Sequence, residues 1–179
     1  MTRKAALAGG ALSLLALFGV EATSAESITE KTGVNAMLGV SPSTPDFVRE
    51  AAVSDMFEIE SGALAKEKGN AATKAFAEKL VSDHGAAAGS LRAVMAEHSI
   101  RVDLPHALNG SAQSRMNALK ALTGEKFDQR FRDDQIEAHK EAIDLFERYA
   151  RGGDNEALKH WAENLLPGLR AHLAMAERL

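Results

Sequence analysis

The chain has 179 residues, 45% of them hydrophobic and 26% charged, with a net charge of −4 and no cysteine. This length suits one domain with its own core, and the acidic balance argues against a nucleic-acid partner. The absence of cysteine excludes disulfides, thiolate metal ligands, a cysteine nucleophile and a lipid anchored through cysteine. Aromatic residues make up only 5% while Ala and Leu abound, a composition that favours helices.

Arg3 and Lys4 precede an apolar, charge-free run from Ala5 to Val20, and Ala22-Thr23-Ser24-Ala25 follows. Small residues at Thr23 and Ala25 fit a signal-peptidase site, so residues 1–25 are read as a cleaved leader. The apolar run is shorter than the roughly 20 residues a spanning helix needs. The expectation is a periplasmic or secreted protein with no transmembrane span after cleavage.

Residues 26–44 mix Gly, Ser, Thr and Pro without periodicity and read as a flexible tail ahead of a bundle domain at 45–179. A first helix starts near Pro45 with Thr44 as its cap and ends near Lys68, where Gly69 offers a left-handed cap. Asn70 caps a second helix with a seam through Ala77, Leu80, His84, Ala87, Leu91, Val94 and His98. A connection of about 25 residues containing Pro105, Asn109 and Gly110 follows, with a short helix near Ser111–Leu122. The third helix runs from Gly124 to Gly152-Gly153 on Phe127, Phe131, Ile136, His139, Ile143, Phe146 and Ala150. Asp154 caps a fourth on Leu158, Trp161, Leu165, Leu169, His172, Ala176 and Leu179. Pro167 inside that helix predicts a kink, because it removes a backbone donor.

Short links within each pair predict two antiparallel hairpins. The long link between them fits an all-α, ferritin-like four-helix bundle with a crossover between helices two and three; a plain up-down-up-down bundle is the alternative.

At this point the chain resembles a family. Phe47-Val48-Arg49-Glu50-Ala51-Ala52 with Glu58-Ile59-Glu60-Ser61-Gly62 is similar to the first helix of the bacterial "domain of unknown function 4142" family. Val81-Ser82-Asp83-His84, Glu137-Ala138-His139-Lys140 with Phe146-Glu147, and Leu166-Pro167-Gly168-Leu169-Arg170-Ala171-His172-Leu173 resemble its other three helices. The resemblance spans about residues 45–179 and implies an exported ferritin-like bundle. Members often carry an outer-membrane label, which the helical periodicity here does not support as a barrel. The family brings no established activity.

Three helices carry a histidine on the apolar stripe: His84, His139 and His172. On the first helix the stripe Val53, Met56, Glu60 and Ala63 makes Glu60 the core-facing carboxylate, with Glu58 about 200° away toward the surface. With a crossover, His84 and His139 both lie about 21–23 Å from one end of the bundle. Glu60, Asp134 and His172 then fall within a turn or two; without the crossover the coincidence disappears. These five residues are the candidate ligands for a divalent transition metal such as Zn, Fe, Mn or Cu. The first reading of the same residues is a buried hydrogen-bond network, with the metal site as the alternative.

The ferritin-like di-metal pattern needs Glu-x-x-His on two helices. Here the residues three before the histidines are Val81, Ile136 and Leu169. This departure speaks against di-iron chemistry. Neither a phosphate-binding glycine loop nor a nucleophile elbow occurs. His98, His106 and His160 read as surface or helix-end residues, and pairs such as Glu141/Arg148 as a solvated face. Two functions remain: a non-enzymatic envelope protein serving a structural, interaction or stress role, with an envelope protein or a second copy as partner; and a metal-binding or metal-buffering bundle. A metal-dependent redox enzyme is a distant third.

Overall fold

The computed structural model describes residues 34–179. They form α1 (Val34–Leu38), α2 (Thr44–Lys68), α3 (Ala71–Glu97), α4 (Gly110–Lys120), α5 (Gly124–Gly152) and α6 (Glu156–Ala176), with no strand among them. The expected leader, residues 1–25, and residues 26–33 of the expected tail lie outside the described residues. No described helix is long and apolar enough to cross a membrane.

The four long helices make the bundle. The α2–α3 and α5–α6 hairpins turn on Gly69-Asn70 and on Gly153–Asn155. Phe47, at the start of α2, stacks on Tyr149 at the end of α5 and meets Trp161 near the start of α6 edge-on. At the opposite end, the Asn70 N–H donates to Asp128 Oδ1 at 3.0 Å, near the start of α5. Helix α2 is therefore antiparallel to both α3 and α5, so α3 and α5 are parallel. Ser90 of α3 accepts from Trp161 Nε1, while Phe76 packs edge-on to His172, which sets α6 antiparallel to α3. This is the crossover arrangement, and the up-down-up-down alternative is excluded.

The return from the end of α3 to the start of α5 occupies residues 98–123. Val102 and Leu104 lie against one end of the core, and α4 buries Met116 and Leu119 against the other. Lys68 ties the returning chain to the end of α2 by donating to the carbonyls of Lys120 and Leu122.

Several boundaries differ from expectation by a residue. Ser43, not Thr44, caps α2: its hydroxyl oxygen accepts from the Asp46 N–H. Thr44 moves into the first turn, where its hydroxyl meets Tyr149 and Asp154. Asn155 rather than Asp154 caps α6. Gly69 has an extended backbone, φ −72°, rather than a left-handed one. Its lack of a side chain matters sterically, since a Cβ would sit 2.5 Å from Thr73 Cγ2 and 2.8 Å from the Ala65 carbonyl. Helix α6 continues through Pro167 to Ala176. Within the stretch read as tail, α1 forms and the Val40 carbonyl accepts from buried Arg148, which is not the solvated residue expected.

Asn70 caps α3 by accepting from the Thr73 N–H at 3.0 Å. Asn70→Ala is expected to cost about 1 kcal/mol, read as a lower urea midpoint at unchanged slope.

The apolar core is divided. One cluster holds Phe47, Leu91, Phe146, Tyr149 and Trp161; the other holds Phe76, Leu80, Phe127, Phe131 and Leu119. On α3, α5 and α6 a histidine falls between the residues given to each cluster, and on α2 Asp55 does. A polar layer thus crosses the middle of the bundle.

Candidate metal centre

The polar layer is built by helical spacing. On α2 the positions Val48, Ala51, Asp55, Glu58, Gly62 and Ala65 alternate by three and four and are all buried. That stripe carries Asp55 and Glu58 inward. Helix α3 contributes His84, α5 contributes Gln135 and His139, and α6 contributes His172; all are at most 3% exposed.

The three imidazoles form a triangle. Ring centroids are 5.7 Å apart for His84–His139 and 5.4 Å for each of the other two pairs. One ring nitrogen from each lies within 4.8 Å of those of the other two. Each imidazole is also held by a hydrogen bond at one ring nitrogen. His84 Nδ1 is 2.8 Å from Asp55 Oδ1, His139 Nδ1 is 2.8 Å from the Gln135 carbonyl oxygen, and His172 Nε2 is 2.8 Å from Asp83 Oδ2. A hydrogen bond donated by one nitrogen leaves the lone pair on the other available to a metal.

Those other nitrogens, His84 Nε2, His139 Nε2 and His172 Nδ1, are buried without a partner. So are Asp55 Oδ2, Glu58 Oε2 and Gln135 Oε1, and these six atoms are all such side-chain atoms found among the described residues. An unsatisfied buried polar atom costs about 1–3 kcal/mol, so six concentrated in one layer are costly to the chain without a ligand.

The electrostatics separate the roles. Burial, with the charge of His84 adding to it, pushes His139 down to about 3, so this imidazole is neutral at ordinary pH. Burial also lowers His172, against the opposing pull of Asp83. For His84 burial acts downward too, but the Asp55 bond and the charges of Glu58, Asp55 and Asp83 outweigh it and hold the ring above the usual range. Burial raises Asp55, and it raises Glu58 to about 7. Glu58 Oε1 lies 3.9 Å from His139 Nδ1.

Of the five residues expected from sequence, the structure brings together His84, His139 and His172. Glu60 is exposed and does not join them. The apolar pair Val53 and Met56 suggested the wrong phase for α2: because α3, α5 and α4 cover that helix on several sides, its apolar residues are not confined to the stripe facing the bundle axis. The carboxylates of that stripe are Asp55 and Glu58, both missed. The unbroken three-four spacing from Val48 to Ala65 could have shown them, had acidic residues been allowed on it. Asp134 is buried as expected, but its carboxylate pairs with Arg130 at 2.8 Å and is not part of the histidine triangle. His98, His106 and His160 are exposed, as expected.

The sequence matches the family described as Domain of unknown function (DUF4142) over residues 29–179. The chain belongs to that family. The match covers all the helices described above, including the four that carry the polar layer, so the layer is part of the DUF4142 domain of this protein. No curated protein and no solved structure matches the chain.

Proposed function

We propose that this DUF4142 protein is an exported metal-binding bundle whose ion is held by His84, His139 and His172. The observation that carries the reading is the convergence of three buried imidazoles with a ring nitrogen of each within 4.8 Å of the others, every imidazole having one nitrogen hydrogen-bonded and the other without a partner. Around a tetrahedral zinc, nitrogens at about 2.0–2.1 Å stand about 3.3 Å apart, so small side-chain rotations would close the triangle. Three neutral imidazoles suit zinc, copper or ferrous iron better than calcium or magnesium, which prefer oxygen. A bound dication would also favour the buried carboxylates Asp55 and Glu58 in their charged form. Export rests on the pattern of residues 1–25.

Calorimetric titration of metal-free protein with zinc at pH 7.5 tests the reading. One site per chain is expected, with affinity falling as pH falls, because a proton on His84, whose pKa is held above the usual range, competes with the ion. Asp55→Asn, which keeps the shape but weakens the support behind His84, is expected to lower affinity about 10–100-fold. No saturable heat, or equal affinity in a His84→Ala/His139→Ala double variant, contradicts it.

An interaction role is favoured by a separate observation. Met37 is 87% exposed and Leu38 71%, an apolar pair standing on the short helix α1. If that pair docks on a second copy, sedimentation velocity will show self-association that Met37→Ser/Leu38→Ser abolishes; a monomer at all concentrations rules out that partner.

A further inference from the structure

A cleft of about 360 Å³ lies between α3 and α6. Its mouth is marked by exposed Ala86, Asn164 and Gly168. Its walls are largely apolar, with Ala87, Phe146, Leu165 and Leu169. Its polar end is formed by Asp55, His84 and His172, so it leads from solvent to two of the three imidazoles. His139 does not line it. The partnerless His84 Nε2 and His172 Nδ1 thus belong to residues that form both the histidine triangle and the end of the cleft.

A metal held by three protein ligands keeps a coordination position for an outside molecule. The cleft volume is at the small end of the range for small-molecule sites, and its mostly apolar lining with a few convergent polar groups is typical of them. Charge selects the head group. No Lys or Arg lines the cleft, whereas Asp55 and Asp83 do. Behind the imidazoles, the carboxylates of Asp55 and Glu58 supply enough negative charge to balance a dication, while Asp83 is paired with Lys79 at 2.8 Å. An anionic head would add surplus negative charge in a low-dielectric site, while a neutral donor would not.

We propose that this cleft admits a small neutral molecule, apolar in body and carrying one nitrogen donor, to the open coordination position of the bound metal. The inference rests on the metal-binding reading and adds a ligand class and a route to it. Ser54, Ser90 and Asn164 are the uncharged polar side chains that line the cleft. Ser90 is already engaged, accepting from Trp161 and donating to the Ala87 carbonyl. Specificity therefore comes from shape and from the metal rather than from a ring of hydrogen bonds.

The test uses the full-length protein loaded with cobalt(II), with 4-phenylimidazole as probe and benzoate as the charged comparison. The cobalt visible absorption bands are expected to shift saturably with 4-phenylimidazole, cobalt content staying constant, and to respond at least tenfold more weakly to benzoate. Gly168→Trp places a large side chain at the mouth. A Cβ there meets nothing within 4 Å, and glycine is a poor helix former, so the variant is expected to fold and to take up cobalt normally. It should weaken 4-phenylimidazole binding at least tenfold. Unchanged bands in cobalt-loaded protein, equal binding of benzoate, or unaltered probe affinity in Gly168→Trp overturns this inference and leaves the metal site standing. A chain that takes up no cobalt at all defeats the metal-binding reading, and this inference falls with it.

Discussion

Zinc supplied at about 100-fold over its dissociation constant is expected to raise the unfolding midpoint by about 5–10 °C. The size follows from linkage: binding to the folded chain alone adds about 2.7 kcal/mol at that excess, and about 2–4 °C per kcal/mol is typical of a chain of this length. Removing one ligand should remove most of the shift, because losing a ligand costs more than the 10–100-fold that follows loss of a supporting group. His139→Ala is the cleanest variant. Its Nδ1 rests on the Gln135 carbonyl of its own helix, so its removal strands no buried carboxylate hydrogen bond, whereas His84→Ala would strand Asp55. The comparison is thermal unfolding of each variant with and without zinc. A zinc-induced shift of the same size in His139→Ala would show that the ion binds elsewhere.

The metal-free protein should lose stability as pH rises through neutrality, and Glu58→Gln should remove the part of that loss that Glu58 contributes. Glu58 holds its proton up to about pH 7 when folded but releases it near 4.5 when unfolded. The folded state therefore binds the extra proton between those values, and stability falls across them by about 3 kcal/mol. His139 acts with the opposite sign. Folded, it stays neutral down to about pH 3, while the unfolded ring charges near 6.5. Its contribution is complete above 6.5 and is lost as pH falls, by about 5 kcal/mol over the whole range. Between 4.5 and 6.5 the two slopes cancel. Below 4.5 His139 dominates and acid destabilises. Above 6.5 Glu58 falls toward its limit, and His84, whose raised folded value adds stability below 6.5, gives that up as it deprotonates. Glu58→Gln keeps the volume and stays uncharged, so metal-free Glu58→Gln is expected to exceed wild type by about 3 kcal/mol at pH 8, measured by urea unfolding. A variant less stable than wild type at pH 8 would mean that the carboxylate is satisfied in the folded chain.

The reach of the sequence was uneven for physical reasons. Helices α3, α5 and α6 each face the bundle with one main stripe, so their three-four spacing located His84, His139 and His172 together. Loop lengths then supplied the topology, and topology supplied the common height of His84 and His139. Helix α2 is covered on more sides, and its inward stripe carries the acids Asp55 and Glu58. The phase set by Val53 and Met56 put Glu60 on the inward line instead. Burial of Asp55 and Glu58 is tolerable because His84 and Gln135 stand against them from other helices, and pairings of that kind are not visible in one helix's period. Asp134 shows the converse: its burial was readable, but its engagement with Arg130 one turn earlier depends on which way the arginine turns.

X-ray absorption at the metal edge of protein loaded with one equivalent of zinc reads directly whether His84, His139 and His172 hold the ion. Nitrogen ligands at about 2.0–2.1 Å are expected, with outer scattering that fits three imidazole rings, reduced to two in His139→Ala. A shell of oxygen ligands without imidazole scattering, or one unchanged in that variant, would contradict it.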